Sequence, residues 1–216
     1  MENKIIELKP SRLKWVVMFL FPISLLILSL FLGRYPIPPD HIIRILGNKL
    51  LGMSIEPSWT STAETVIIQV RLPRAIMATL IGSGLSMSGA AFQGMFQNPL
   101  VSPFILGVSA GASFGAAVGL VLELPAIGVQ GLAFIFGILA VGIAYFLAHI
   151  YKATPILMLV LSGMVVSTFF QAMLSMIKFI ADDEEKLPAI TFWLMGSLGS
   201  IEVKDLTIAA IPIGLS

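Results

Sequence analysis

Arg71-Leu72-Pro73-Arg74 opens a stretch that runs through Gly84-Leu85-Ser86-Met87-Ser88-Gly89-Ala90 to Gln97-Asn98-Pro99-Leu100-Val101-Ser102-Pro103. From Ala75 to Leu122 the chain contains no Asp, Glu, Lys, Arg or His. One helix needs only about 20 apolar residues to cross a bilayer, so this run is too long for a single span and must turn. Asn98-Pro99 marks the turn, because proline disfavours helical geometry in the residue before it and offers no amide donor. The stretch reads as two membrane helices, with two arginines at one end and an Asn-Pro break at the other.

The rest of the chain agrees. Its 216 residues are 57% hydrophobic and only 12% charged, with a mean hydropathy of +0.97. Charged residues make up about 25% of soluble domains, so the composition is that of a polytopic membrane protein. A formal net charge of +1 and the lack of a basic stripe with interleaved aromatics give no reason to expect nucleic acid as a partner. Zero cysteines exclude disulfides, thiolate metal sites and cysteine nucleophiles. The basic flank and apolar run at the N-terminus resemble a signal peptide. However, 15–33 is long enough to span, and no small-residue cleavage site follows, so it reads as a first transmembrane helix.

Apolar runs cut by turn or charge signals predict spans at 15–33, about 72–95, 102–122, 126–149 and 154–180. The fold class is all-α and polytopic, with five complete transmembrane helices and the start of a sixth near Leu206. The run ending at Ser216 is too short for a sixth crossing and leads us to expect a truncated chain, a single transmembrane domain over 1–216. Loop 34–64 carries Tyr35-Pro36-Ile37-Pro38-Pro39-Asp40 and then an amphipathic piece from Ile42 to Leu51, a short interfacial helix. Loop 181–204 lies on the same side if the spans alternate. Its acidic run, Asp182 to Glu185, reads as solvated. Lys4, Lys9, Arg12 and Lys14 favour an inside N-terminus, although Arg34, Arg44, Lys49, Arg71 and Arg74 on the other side leave the charge count undecided.

Small residues recur every four positions on two spans. These are Gly107, Gly111, Gly115 and Gly119 on the third, and Gly82, Ser86, Ala90 and Gly94 on the second. That spacing lets helix backbones approach closely, so both helices are expected inside a bundle. Gly107-Val108-Ser109-Ala110-Gly111 matches the nucleophile-elbow pattern, but that chemistry needs a strand-to-helix turn, a base and an acid. The only histidines, His41 and His149, are expected at opposite membrane surfaces. No catalytic residue and no metal site are expected, and no P-loop is present to bind nucleotide. Gln93, Gln97 and Gln171 are expected to make interhelical hydrogen bonds, with lining of a wet path as the alternative. Arg71 and Arg74, three apart, share one helix face. They either snorkel to headgroups or present cationic forks to carboxylates. A secondary transporter or channel would need ionisable groups at mid-membrane, and the predicted spans show none.

The ordered set Arg71-Leu72-Pro73-Arg74, Gly84 to Ala90, Gln93-Gly94, Asn98 to Pro103 and Leu106 to Ala112 resembles the FecCD-type permeases of ABC importers for iron-siderophore complexes, haem and cobalamin. Phe192-Trp193-Leu194-Met195-Gly196-Ser197-Leu198 also fits. The resemblance implies a ten-helix permease in the cytoplasmic membrane, N-terminus inside, that pairs as a homodimer or with a second permease. It also implies cytoplasmic ATPase subunits that hold ATP and Mg, so that this chain needs no cofactor, and an extracytoplasmic binding protein that delivers the chelate. By the same resemblance Arg71 and Arg74 are docking contacts for that protein, and Asn98, Pro99, Leu100 and Thr154 help close the path on the cytoplasmic side. Span five would line the path. The family's coupling helices would lie beyond residue 216.

Overall fold

A computed structural model describes residues 12–99, 101–150, 155–181, 184–199, 201 and 203–214. Among them there is no strand. Nine α-helices follow one another among the described residues: α1 Arg12–Phe31, α2 Pro39–Leu51, α3 Ser61–Thr65, α4 Leu72–Phe96, α5 Val108–Val121, α6 Ala126–Ile150, α7 Pro155–Ile180, α8 Lys186–Met195 and α9 Val203–Gly214. Four of the helical stretches, Arg12–Phe31, Ser61–Phe96, Ala126–Ile150 and Ile156–Ile180, are long and apolar enough to cross a membrane. The chain sorts into two compact units, Met1–Gly84 with Leu198–Ser216, and Leu85–Ser197.

In the first unit, loop 34–64 builds a small core of its own. Ile42 and Ile45 on the inner face of α2 are fully buried with Ile37, Trp59, Ala63 and Ile67, and Phe31 at the end of α1 packs against them. Thr60 caps α3 by accepting a 3.2 Å hydrogen bond from the Ala63 amide, and the Trp59 indole donates to Glu64 at 3.0 Å. The second span starts earlier than its hydropathy predicts. α3 runs into α4 through a π turn, Val66–Arg71, in which the Leu72 amide reaches back to Ile67 O.

The second unit is built around α5, which packs on α6, α7 and α8. A methyl group added at Gly111 would run into Phe136 O and come within 2.7 Å of Ala140 Cβ. At Gly115 it would strike Leu132 O, and at Gly119 it would lie 3.0 Å from Val129 Cα. Bare glycine therefore lets α5 and α6 touch backbone to backbone, so dispersion is gained where no hydrophobic drive between helices exists. Phe114 fills the remaining space, its ring centroid 5.1 Å from Phe136 and 5.7 Å from Phe170.

One expectation is corrected. The third span is not one helix over 102–122. Pro103–Leu106 forms a 3-10 turn, Gly107 takes φ 81°, and only then does the 14-residue α5 begin. At 1.5 Å per residue α5 is about 21 Å long, short of the roughly 30 Å hydrocarbon core. The turn lies on α7 at Gly163, where a side chain would meet Ile105 O. Gly82, Ser86, Ala90 and Gly94 are exposed on α4 among the described residues. Added methyl groups at Gly82 or Gly94 would have nothing within 4 Å.

Gly111→Leu should therefore lower the unfolding midpoint in detergent or nanodiscs, with overpacking costing about 1–3 kcal/mol or more. By contrast Gly131→Ala on α6, where a methyl meets nothing within 4 Å, should leave the midpoint unchanged or raise it.

Candidate functional site

Arg71 ends the π turn and is buried, 9% exposed. Its Nη1 donates a 2.7 Å hydrogen bond to Leu30 O, and its Nη2 donates to Tyr35 O. The last carbonyls of a helix lack intrahelical donors and carry the negative end of its dipole, and the guanidinium meets both needs at the end of α1. The fit leaves no spare room, since a methyl group on Gly33 would come within 2.6 Å of Nη2. A buried cation persists only where its donors are taken up, and here two carbonyls on either side of one turn take them. The Arg71 fork, expected to face a docking partner, is here turned onto the chain's own backbone.

Arg74, one turn further on, is exposed and donates from Nη2 to Gly199 O. On an ideal helix the two arginines lie about 60° apart, close enough to share a face. Their neighbours separate them: the end of α1 stands beside one and solvent-accessible space beside the other.

In the other unit, α4 stops at Phe96 in a Schellman arrangement. Gln97 takes φ 49°, its amide donates to Gly94 O at 3.3 Å, and the Asn98 amide donates to Gln93 O at 3.2 Å. Asn98 O then accepts from the Val101 amide at 3.3 Å, and Ser102 Oγ accepts from Phe104 N at 3.4 Å. The Gln97, Asn98, Val101 and Phe104 amides are thus taken up within the break itself. Asn98 and Pro99 are exposed. Leu100 and Thr154, the other two gate candidates, lie outside the described residues. Gln93, Gln97 and Gln171 are all exposed, and the Gln171 carbonyl accepts from Ser175 Oγ at 3.0 Å. Ser109 stands in the first turn of α5 rather than at a strand end.

Sequence reading missed the ion pair that closes α5. Leu124 N donates to Gly119 O at 3.0 Å and Glu123 N to Leu120 O at 3.1 Å, with Glu123 at φ 55°. Lys186, at the start of α8, donates to Val121 O at 3.1 Å and pairs with the Glu123 carboxylate at 2.9 Å. Its only signal was a lone lysine after an acidic run. Along α6, an open apolar groove of about 770 Å³ is lined by residues that include Phe134, Ile138, Tyr145 and Leu159. Its lining carries no charged side chain.

Arg71→Leu should strip donors from Leu30 O and Tyr35 O and lower the melting midpoint, at about 1–3 kcal/mol for each group left unsatisfied. Arg71→Lys should recover only part of this, since an ammonium is a point charge without a fork. Arg74→Ala should stay within about 0.5 kcal/mol of the parent, as surface changes usually do.

Residues 19–216 match the model of the FecCD transport family. A molybdate import system permease protein of Haemophilus influenzae is 36% identical over 186 residues, which cover 86% of this chain and 54% of that protein. A probable iron chelatin transport system permease protein of Helicobacter pylori is 41% identical over 155 residues, covering 72% of this chain and 46% of that one. Among solved structures, one described as an inward-facing conformation of a metal-chelate type ABC transporter aligns with a TM-score of 0.75 at 34% identity. The alignment covers 93% of this chain and 58% of the other. The chain spans about half the length of the curated relatives it matches. With its all-helical fold and its ordered Arg-Leu-Pro-Arg and Asn-Pro motifs, this chain belongs to the FecCD transport family.

Proposed function

We propose that this chain forms part of the membrane path of an ATP-binding cassette importer for a metal chelate of the iron-siderophore type. The observation that carries the reading is the likeness of its helices, at 34% identity over 93% of the chain, to a transporter described as metal-chelate type. Named relatives include an iron chelatin permease and a hemin permease. In this reading the chain does no bond chemistry. It lies in the cytoplasmic membrane with its N-terminus inside, pairs with a second permease and takes its energy from a separate ATPase. A binding protein delivers the chelate from outside. ATP hydrolysis and docking act by favouring one of two access states, which requires that each partner bind those states with different affinity.

Within that scheme Arg74 is the docking contact. It is the exposed member of the pair, and its guanidinium suits a bidentate carboxylate partner. Arg71 serves the same surface indirectly by holding the end of α1 in place. Asn98 and Pro99 form part of the cytoplasmic closure. A second reading, molybdate as cargo, is favoured by the Haemophilus relative, whose match covers 86% of this chain.

Uptake of labelled ferric siderophore, haem, cobalamin and molybdate, by cells expressing the chain with its ATPase and binding protein, separates these cargoes. Ferric siderophore uptake that requires the ATPase supports the first reading, and molybdate uptake alone supports the second. In the purified assembly Arg74→Glu should reduce stimulation of ATPase activity by the binding protein by about tenfold or more, since like charges facing each other across an interface cost several kcal/mol. Undiminished stimulation would remove Arg74 from the docking contact.

A further inference from the structure

The α2 helix has two apolar faces, and the small core of loop 34–64 uses only one of them. Inward lie Ile42 and Ile45. Outward, Ile43 is 63% exposed, Leu50 59%, Leu51 73% and Met53 52%. Ile43 and Leu50 are seven residues apart, two turns along one face. Gly52 turns the chain back at φ 65°, and Met53 returns over Gly47, its sulfur 3.1 Å from where a Cβ of that glycine would stand. The four side chains thus form one apolar surface on a helix only 13 residues long.

The height of that surface relative to the membrane is set by covalent and polar ties. α1 has membrane-crossing length and hydropathy and ends at Phe31, which packs against the core that holds Ile42 and Ile45. Arg71 grips Leu30 O and Tyr35 O on both sides of the connecting turn. Ala63 and Ile67, on the opposite side of that core, belong to the membrane-length stretch Ser61–Phe96. α2 is therefore pinned where two membrane helices leave the bilayer. Leu32, 66% exposed, continues the apolar surface from α1 toward it.

We propose that the outward face of α2 is a lipid-binding surface. Ile43, Leu50, Leu51 and Met53 lie at the boundary between headgroups and acyl chains, as the apolar face of an interfacial helix does. Arg44, seven residues before Leu51, borders this face and donates from Nη1 to Ser58 Oγ at 3.4 Å, so its stem lies along the apolar surface while its charge stays at the polar edge of the loop. Arg34, Arg44 and Lys49 in loop 34–64 are matched by Asp40, Glu56 and Glu64, and Lys49 is already paired with Glu64 at 2.8 Å. Apolar insertion thus holds the helix, and attraction to anionic lipid contributes little.

The chain has no cysteine, so single Ile43→Cys, Leu50→Cys and Leu51→Cys variants of the full chain in lipid nanodiscs can each carry one environment-sensitive fluorophore. Glu56→Cys, at an exposed polar position, is the reference. Labels at 43, 50 and 51 should emit further to the blue than the label at 56 and be quenched severalfold more by bromine-bearing acyl chains. Their signal should be the same in zwitterionic and anionic lipid and at high salt. Quenching by aqueous iodide with no effect of brominated lipid would overturn the proposal. So would shielding that appears only when a binding protein is added, which would make this face a protein-docking surface. Quenching that requires anionic lipid would overturn the apolar mode of attachment.

Discussion

Backbone carbonyls left open at helix ends are costly in an apolar solvent, and most of the chain's irregular features exist to close them. Arg71 closes α1 from a position 41 residues beyond Leu30. A Schellman turn closes α4 at Gln97 and a second closes α5 at Glu123, each with a residue other than glycine in the left-handed region. Lys186 adds a donor to Val121 O from α8. Where the third span breaks, Ser102 and Gly107 manage the interruption. The Arg71 and Lys186 ties use side chains distant in sequence, so closing one helix there also positions another.

Packing follows a second rule. Lipid tails are as apolar as leucine, so helices associate through close fit rather than through escape from water. α5 achieves this by presenting glycine to the α6 backbone at Gly111 and Gly115. Its shortness follows from the same economy, since a helix buried on nearly every side need not run the full depth of the membrane when a 3-10 turn and Gly107 carry the chain onward. The small-residue face of α4 has the same spacing and is exposed. Identical local patterns thus lead to opposite burial.

The two arginines of the opening motif divide the work of one membrane boundary. Arg71 is a structural cation, held by carbonyls and shielded from solvent, while Arg74 stays at the surface. Desolvation explains the division: a guanidinium can be buried only where several acceptors converge, and the end of α1 provides them at one position and not the next. The first arginine maintains the scaffold of this boundary and the second is left exposed on it.

Much was legible in the sequence because the bilayer imposes a strong one-dimensional code. Uncharged runs of a given length predicted the helices over 15–33, 126–149 and 154–180 to within a few residues. Proline marked the turn after α4, and the ordered motifs pointed to the family. Hydropathy could not see that the second span begins at Ser61, because the π turn and the polar first turn of α3 do not interrupt the hydrogen-bonded helix even though they interrupt its apolar run. Nor could it distinguish the glycines of α5 from those of α4, or Arg71 from Arg74, since each pair shares residue type and spacing. Sequence alone determined which segments are helical and apolar, a matter of local composition against a fixed membrane thickness. Only the tertiary structure decided which faces and charges are buried, because burial depends on the backbone that comes to lie opposite, and that partner is remote in the chain.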